Sequence, residues 1–128
     1  MNRYAKGANF EREVIADLWA HGWASMRAAG SGTTSYPVPD VIGLKDGRIV
    51  LIECKTTKGD RLSLKRNILD LDEFRKLSGG EAYIAIKFFK KPPRFYNIKP
   101  IIERNNFTIN ITDTFLNIDS ILFEQKTL

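Results

Sequence analysis

The chain carries one cysteine and one histidine among its 128 residues. That shortage excludes a disulfide framework, a multi-cysteine zinc site and a histidine-rich metal centre. No uninterrupted apolar stretch approaches the roughly 20 residues a membrane span requires. Met1-Asn2-Arg3-Tyr4 also lacks the apolar core of a secretory leader. The expectation is a protein with no membrane partner, at work in the cytoplasm. No repeat, linker or low-complexity tract interrupts the chain, and a second core would not fit its length. Residues 1–128 are therefore read as one domain.

What is present is an ordinary apolar share, 43%, and a surplus of positive charge, 20 Lys and Arg against 15 Asp and Glu. The surplus is uneven. Residues 1–104 carry 19 basic and 12 acidic side chains, whereas residues 105–128 carry one and three. The excess is densest in Lys55–Arg66 and in Lys87–Arg94. Such runs are either a solvated surface or, if they share a face, a track for phosphates driven by counterion release.

Periodicity sets out the elements. Residues 7–21 predict a helix whose apolar face is Phe10, Val14, Ile15, Leu18 and Trp19, stopped by Gly22. A short strand is expected over Trp23–Ala29, then a flexible loop over Gly30–Pro37. Two β-rich runs, Asp40–Leu44 and Arg48–Thr57, flank Asp46-Gly47, the strongest short hairpin signal available. Residues 67–78 predict a second helix, with Ile68, Leu69, Leu71, Phe74 and Leu77 apolar and Gly79-Gly80 at its end. Ala82–Phe89 and Arg94–Ile98 form a second hairpin around Lys90-Lys91-Pro92-Pro93. Residues 105–128 are open between strand and short helix. The order is that of an α/β domain, a mixed sheet covered by helices.

Several carboxylates stand out against this frame. At about 100° per residue, Glu11 falls in the middle of the apolar arc of the first helix, while Glu13 and Asp17 fall outside it. A carboxylate aimed at a core needs a cation partner or a raised pKa, unless the helix N-terminus keeps it solvated. In the first hairpin, a symmetric turn at Asp46-Gly47 places Asp40 opposite Glu53, with Cβ atoms about 4.5–5.5 Å apart. Two carboxylates so placed repel, and a divalent cation between them reverses the sign; the alternative is an asymmetric loop that sends one acid to solvent. Alternation puts Ile49, Leu51, Glu53 and Lys55 on one face of the strand, and Val50, Ile52, Cys54 and Thr56 on the other. Lys55 lies roughly 6.5–7 Å beyond Glu53. It is either an ion-pair partner or a reach toward a metal-held water or phosphate.

Pro39-Asp40, a hairpin and Glu53-Cys54-Lys55 together resemble the PD-(D/E)xK nuclease superfamily. Lys6-Gly7-Ala8-Asn9-Phe10-Glu11-Arg12-Glu13 opening a helix, followed by Arg27-Ala28-Ala29-Gly30-Ser31-Gly32, resembles the archaeal Holliday junction resolvases within it. The likeness runs from about Tyr4 to Phe89 and weakens beyond. It implies a restriction-endonuclease-like core, a central mixed sheet flanked by helices, and a structure-selective DNA endonuclease that resolves four-way junctions. It further implies that Glu11 is the acidic residue of helix 1, Asp40 and Glu53 the metal-binding acids, and Lys55 the catalytic lysine. The Cys54 backbone carbonyl would face the metal, and Ser31 would be the functional serine of its loop. Arg12 and Arg27 match basic residues near the phosphate. Thr33–Val38 is longer than the pattern, which bears on Ser31.

The cofactor expected is Mg²⁺, with Mn²⁺ able to substitute, and no small-molecule cofactor besides. The partners expected are a four-way DNA junction and a second copy of the chain, since two symmetric cuts call for a homodimer. Cleavage would leave 5′-phosphate and 3′-hydroxyl ends, in recombination and repair at the nucleoid. Lys6, Arg12, Arg27, Lys58, Arg61, Lys65, Arg66 and Lys87 are the expected DNA contacts. Other readings are a nuclease of the superfamily acting on flaps or duplex, and a basic DNA-binding module without catalysis. Cys54 reads as a small core residue, His21 as a solvated or capping side chain, Phe88-Phe89 as core or interface, and Phe74 as helix packing or dimer contact.

Overall fold

The computed structural model describes residues 3–28 and 35–123, with side chains from Gly7 onward. Helix α1 spans Arg3–Ala20 and so starts four residues before the expected point. Phe10, Val14 and Leu18, one row at i, i+4 and i+8, are its fully buried residues. Trp19 does not join them. It is 58% exposed, and its Nε1–H donates to the Ser25 carbonyl at 3.1 Å. One helical row suffices to cover the sheet, and Trp19, about 100° beyond Leu18, passes over the sheet edge instead. Gly22, at φ +81°, closes the helix, with the Trp23 N–H donating to the Leu18 carbonyl at 2.9 Å.

Strands β1 (Ala24–Arg27), β2 (Val41–Lys45) and β3 (Arg48–Thr57) follow as an antiparallel run. Asp46 (φ +48°) and Gly47 (φ +83°) form the two-residue turn expected of their sequence. Lys45 pairs with Arg48 and the register holds through Val41 and Ile52, as the symmetric turn requires. A short β4, Arg61–Ser63, was not foreseen. Helix α2, Lys65–Ser78, then carries the chain across to β5, Glu81–Phe88, which lies parallel to β3. Parallel neighbours need such a crossover. Strand β6, Arg94–Asn97, returns antiparallel, and the sheet order is β1-β2-β3-β5-β6.

The expected last strand stops at Asn97 because its side chain accepts the Lys99 N–H at 2.9 Å, capping helix α3, Ile98–Glu103. Beyond it the open stretch contains both alternatives. Strand β7, Thr108–Asn110, pairs with β4 in a separate two-stranded sheet, and Asn117 caps a short α4, Ile118–Leu122.

The central sheet is covered on both faces. Val50 and Ile52 of β3 pack with Phe10, Val14 and Leu18 of α1 and with Ile121 and Leu122 of α4. Leu51 packs on the other side with Ile68 and Leu71 of α2, Ile98 and Ile101 of α3 and Ile109 of β7. The stripe of α2 is narrower than its sequence suggests. Leu69 and Leu77 point outward, the latter 86% exposed. Two arginines tie the C-terminal segment down. Arg48 pairs with Glu81 at 2.9 Å and donates to the carbonyls of Ile121, Leu122 and Phe123. Arg94 donates to the Ile111 carbonyl at 2.6 Å, its guanidinium 4.3 Å from the Phe115 ring centroid and 5.3 Å from that of Phe88. His21 does cap a helix end. Its ring meets the Asp17 carbonyl at 2.7 Å and Asp119 of α4 at 2.6 Å; the first of these hydrogen bonds, then the second, raises its pKa.

Gly47→Ala places a side chain in the left-handed region at the turn that sets the hairpin register. It should lower unfolding stability by about 1 kcal/mol while leaving the circular dichroism spectrum unchanged, as measured by urea denaturation.

Candidate active site

The site forms where β2 begins and β3 ends. The Asp40 carbonyl accepts the Ala28 N–H at 2.9 Å, which prolongs the β1–β2 ladder by one step and brings Arg27 alongside. The paired β2–β3 ladder ends at Val41 and Ile52. The Asp40 side chain takes over, its Oδ2 accepting the Cys54 N–H at 2.9 Å. Asp40 is thereby pinned to β3 next to Glu53.

Glu53 is the most perturbed of the acids. Burial, then the adjacent charge of Asp40, pushes its pKa from 4.5 up to about 8, against the opposing influences of Lys55 and Asn67. The Asn67 amide donates to Oε2 at 3.4 Å. Oε1 is buried, and with both carboxyls ionised no donor faces it. A proton shared with Asp40, a water or a cation would satisfy that atom. Lys55, half-buried on the same face, supplies the positive charge that opposes this rise.

Glu11 reaches the site from the other face of the sheet. Its side chain is only 15% exposed and forms an ion pair with the Arg27 Nε. That pairing supplies the cation partner its position in the apolar arc demanded. Cys54 lies on the α1 face with Val50 and Ile52. Burial, then the charges of Asp40, Glu11 and Glu53, pushes its thiol pKa well up, so it is an inert packing group against the α1 side. The three acids thus converge electrostatically on one residue.

The chemistry of this donor set fits a hard divalent cation: two carboxylates held together, one oxygen orphaned, and a lysine adjacent. Among the described residues, no group of three His, Cys, Asp or Glu side chains is gathered in metal-holding geometry. Asp40 and Glu53 are the pair of side chains that could hold one, and Glu11 is engaged with Arg27.

The expected DNA-contact residues fall into several groups. Arg12 is exposed, with its Nη1 on Asn9 Oδ1 at 3.0 Å. Lys58 and Arg61, between β3 and α2, and Lys65 and Arg66, in the first turn of α2, are exposed; Arg66 pairs with Asp70 at 3.2 Å and the Lys65 ammonium lies 5.9 Å from the Phe107 centroid. Lys87 instead pairs with Glu13 at 2.8 Å. The run Lys87–Arg94 therefore divides, because Arg94 braces the C-terminal segment and, of its cations, only Lys90 and Lys91 are exposed. Ser31 and the Lys6 side chain lie outside the described residues. Asn67 was missed. Its signal was available, since it lies four residues before Leu71 and so is a polar side chain on the apolar stripe, the same anomaly that marked Glu11.

The family model of the archaeal Holliday junction resolvase (Hjc) matches residues 2–127. The chain belongs to that family. The resolvase is 36% identical over 109 residues to the crossover junction endodeoxyribonuclease of Archaeoglobus fulgidus, covering 83% of this chain and 79% of that one. It is 37% identical over 112 residues to the enzyme of the same name from Sulfurisphaera tokodaii, covering 84% and 77%. The solved structure of the A. fulgidus Holliday junction resolvase superposes with a TM-score of 0.78 at 32% identity, over 88% of this chain and 95% of that one. A bacterial homing endonuclease, 13% identical, matches with a TM-score of 0.57 over 89% of this chain and 80% of its own, a likeness of fold alone. The fold is restriction-endonuclease-like, and the resolvase is a DNA endonuclease of a family that implies a divalent metal cofactor. Among its described residues no helix is long and apolar enough to cross a membrane.

Because the folded pKa of Glu53 lies above its value in the unfolded chain, the folded state holds a proton that the unfolded state sheds between pH 4.5 and about 8. Metal-free stability should therefore fall as pH rises through that window, by up to about 1.4 kcal/mol per unit. Calorimetry in chelator should show the decline, and Glu53→Gln should flatten it. Adding Mg²⁺ at pH 8 should raise Tm in the parent protein and not in Glu53→Gln.

Proposed function

We propose that this resolvase, acting as a homodimer with Mg²⁺, hydrolyses one phosphodiester on each of two opposing strands of a four-way DNA junction. The observation that carries the reading is the Asp40–Glu53 pair, two carboxylates held side by side next to Lys55 with one buried oxygen lacking a donor. Nothing in the packing of a helix-covered sheet requires that arrangement, and repulsion opposes it.

Phosphodiester hydrolysis needs an activated water, an in-line approach and neutralisation of the charge that develops on phosphorus and on the leaving oxygen. A bound divalent cation supplies Lewis acidity and lowers the pKa of water. Asp40, Glu53 and the Cys54 carbonyl would hold it, and Mn²⁺ would substitute. Lys55 would orient the water or neutralise charge on the phosphate. Glu11 would complete the site through water while holding Arg27 toward the phosphate, and Ser31 would join from its loop. The products would be 5′-phosphate and 3′-hydroxyl ends, as in the nuclease superfamily that the chain resembles.

Selectivity for junctions follows from pairing. One basic domain without a base-reading helix recognises backbone geometry and little sequence. Two such domains about a two-fold axis fix the spacing and direction of both sites, which a straight duplex cannot satisfy at once. Action on DNA at the nucleoid belongs to the same reading.

Nicking of a labelled four-way junction in Mg²⁺ tests it, with duplex and flap controls. Asp40→Asn and Glu53→Gln should each abolish cleavage while junction binding stays the same or tightens as repulsion is relieved; robust cleavage by either variant would overturn the assignment. Binding should also weaken steeply with salt. About six phosphate contacts, from exposed cations such as Arg12, Lys58, Arg61, Lys65 and Arg66, imply a log–log slope of roughly −5. A flat salt dependence in a filter-binding titration would contradict a phosphate track.

A further inference from the structure

At the C-terminal ends of β3 and β5 a groove of about 810 Å³ is lined in part by Asn9, Glu13, Thr56, Lys58, Lys87 and Phe89, with Lys90 also on its wall. Phe88 and Phe89 separate here. Phe88 is fully buried in the core beneath α2, whereas Phe89, one step past the end of β5, is 58% exposed. An isolated exposed aromatic needs no explanation, but this one comes with a partner. The Lys90 ammonium stands 5.4 Å from the Phe89 ring centroid. Lys90 also adopts φ +60° in a turn closed by the Lys91 N–H on the Phe88 carbonyl at 2.9 Å. Glycine or asparagine suits that backbone better than lysine does.

The charge of the groove selects its occupant. Three lysines, Lys58, Lys87 and Lys90, face one acid, Glu13, which already pairs with Lys87. A cationic groove with a flat apolar ring on its wall fits a polyanion that carries flat apolar groups, a DNA strand with a base face to offer. Its place in the sheet agrees. Lys55 is level with Ile86 across the β3–β5 pair, so Phe89 lies three residues, about 10 Å, beyond the level of the site lysine. Lys87 and Phe89 line the α1 face, the face from which Glu11 reaches the site, whereas Lys55 is on the α2 face, so a strand that passes from the site onto the α1 side would bring its neighbouring nucleotides into this groove.

We infer that Phe89, backed by Lys90, stacks on a nucleobase next to the strand-exchange point and is a specificity-determining residue for junction over duplex. This rests on the resolvase reading above. In linear duplex each base is stacked on both sides and offers the ring no face. At the exchange point of a junction whose arms are unstacked from one another, a base lacks one stacking neighbour and can turn to the protein at reduced cost.

The test measures binding of the full-length protein to a four-way junction and to linear duplex of equal length, with 2-aminopurine at the nucleotides flanking the exchange point. Phe89→Ala should bind the junction roughly tenfold more weakly with duplex affinity unchanged. Wild type should brighten 2-aminopurine as the base leaves its nucleic-acid neighbours, and Phe89→Ala should not. Phe89→Leu, which keeps apolar bulk without a π face, should behave as alanine, and Phe89→Tyr as wild type. Full junction selectivity in Phe89→Ala or Phe89→Leu would overturn the inference, as would equal loss for junction and duplex. So would loss of dimer mass on sedimentation of Phe89→Ala, which would make the ring a contact between copies. If wild type nicks junctions while Phe89→Ala matches it throughout, only this inference falls. If wild type nicks no junction, the resolvase reading falls and takes it along.

Discussion

The register of one hairpin governs the rest of the site. Lys45 opposite Arg48 dictates each later pairing as far as Val41 and Ile52, and so where Asp40 meets β3. A slip of one residue would send Asp40 and Glu53 to opposite faces. The turn resists such a slip because Asp46 and Gly47 both occupy the left-handed region that a two-residue hairpin of this kind demands. Core packing resists it as well, since Val50 and Ile52 must face α1 while Leu51 faces α2. Apolar burial on two faces thus holds in place two carboxylates that would otherwise drift apart.

Around that register, each layer delivers something different. Helix α1 buries Phe10, Val14 and Leu18 and, on the same arc, brings Glu11 to Arg27 at the end of β1. Helix α2, required to link parallel β3 and β5, brings Asn67 to Glu53 from the opposite side. The acids are therefore assembled by secondary elements with packed faces, which suits a site in which geometry must survive electrostatic repulsion. Positive charge is divided between two duties. Arg48 and Arg94 bind carbonyls and aromatic rings of the C-terminal segment, while Lys58, Arg61, Lys65 and Arg66 stay on the surface beside the site.

Much of the site was legible because it depends on local rules. The Asp46-Gly47 turn determined the hairpin; alternation determined the two faces of β3; the 3.6-residue period singled out Glu11. The family resemblance rested on the same short motifs, Pro39-Asp40, Glu53-Cys54-Lys55 and the opening of α1. Asn67 was legible by the same period, since it lies one turn before Leu71 on the stripe of α2.

What the tertiary structure alone decided concerns partners distant along the chain. Strand β4 has three residues and acquires its identity only from β7, far beyond it, so no local period announces either. Trp19 and Leu77 have the spacing of core residues, yet the sheet ends before it reaches one, and no layer covers the other. Arg94 and Lys87 read as members of a basic run, but a cation's role depends on which carbonyl or carboxylate folding brings within about 3 Å. Periodicity determines the face on which a side chain lies. Whether that face meets core, partner or water depends on segments whose proximity is created by the fold itself, and that information is not local in the sequence.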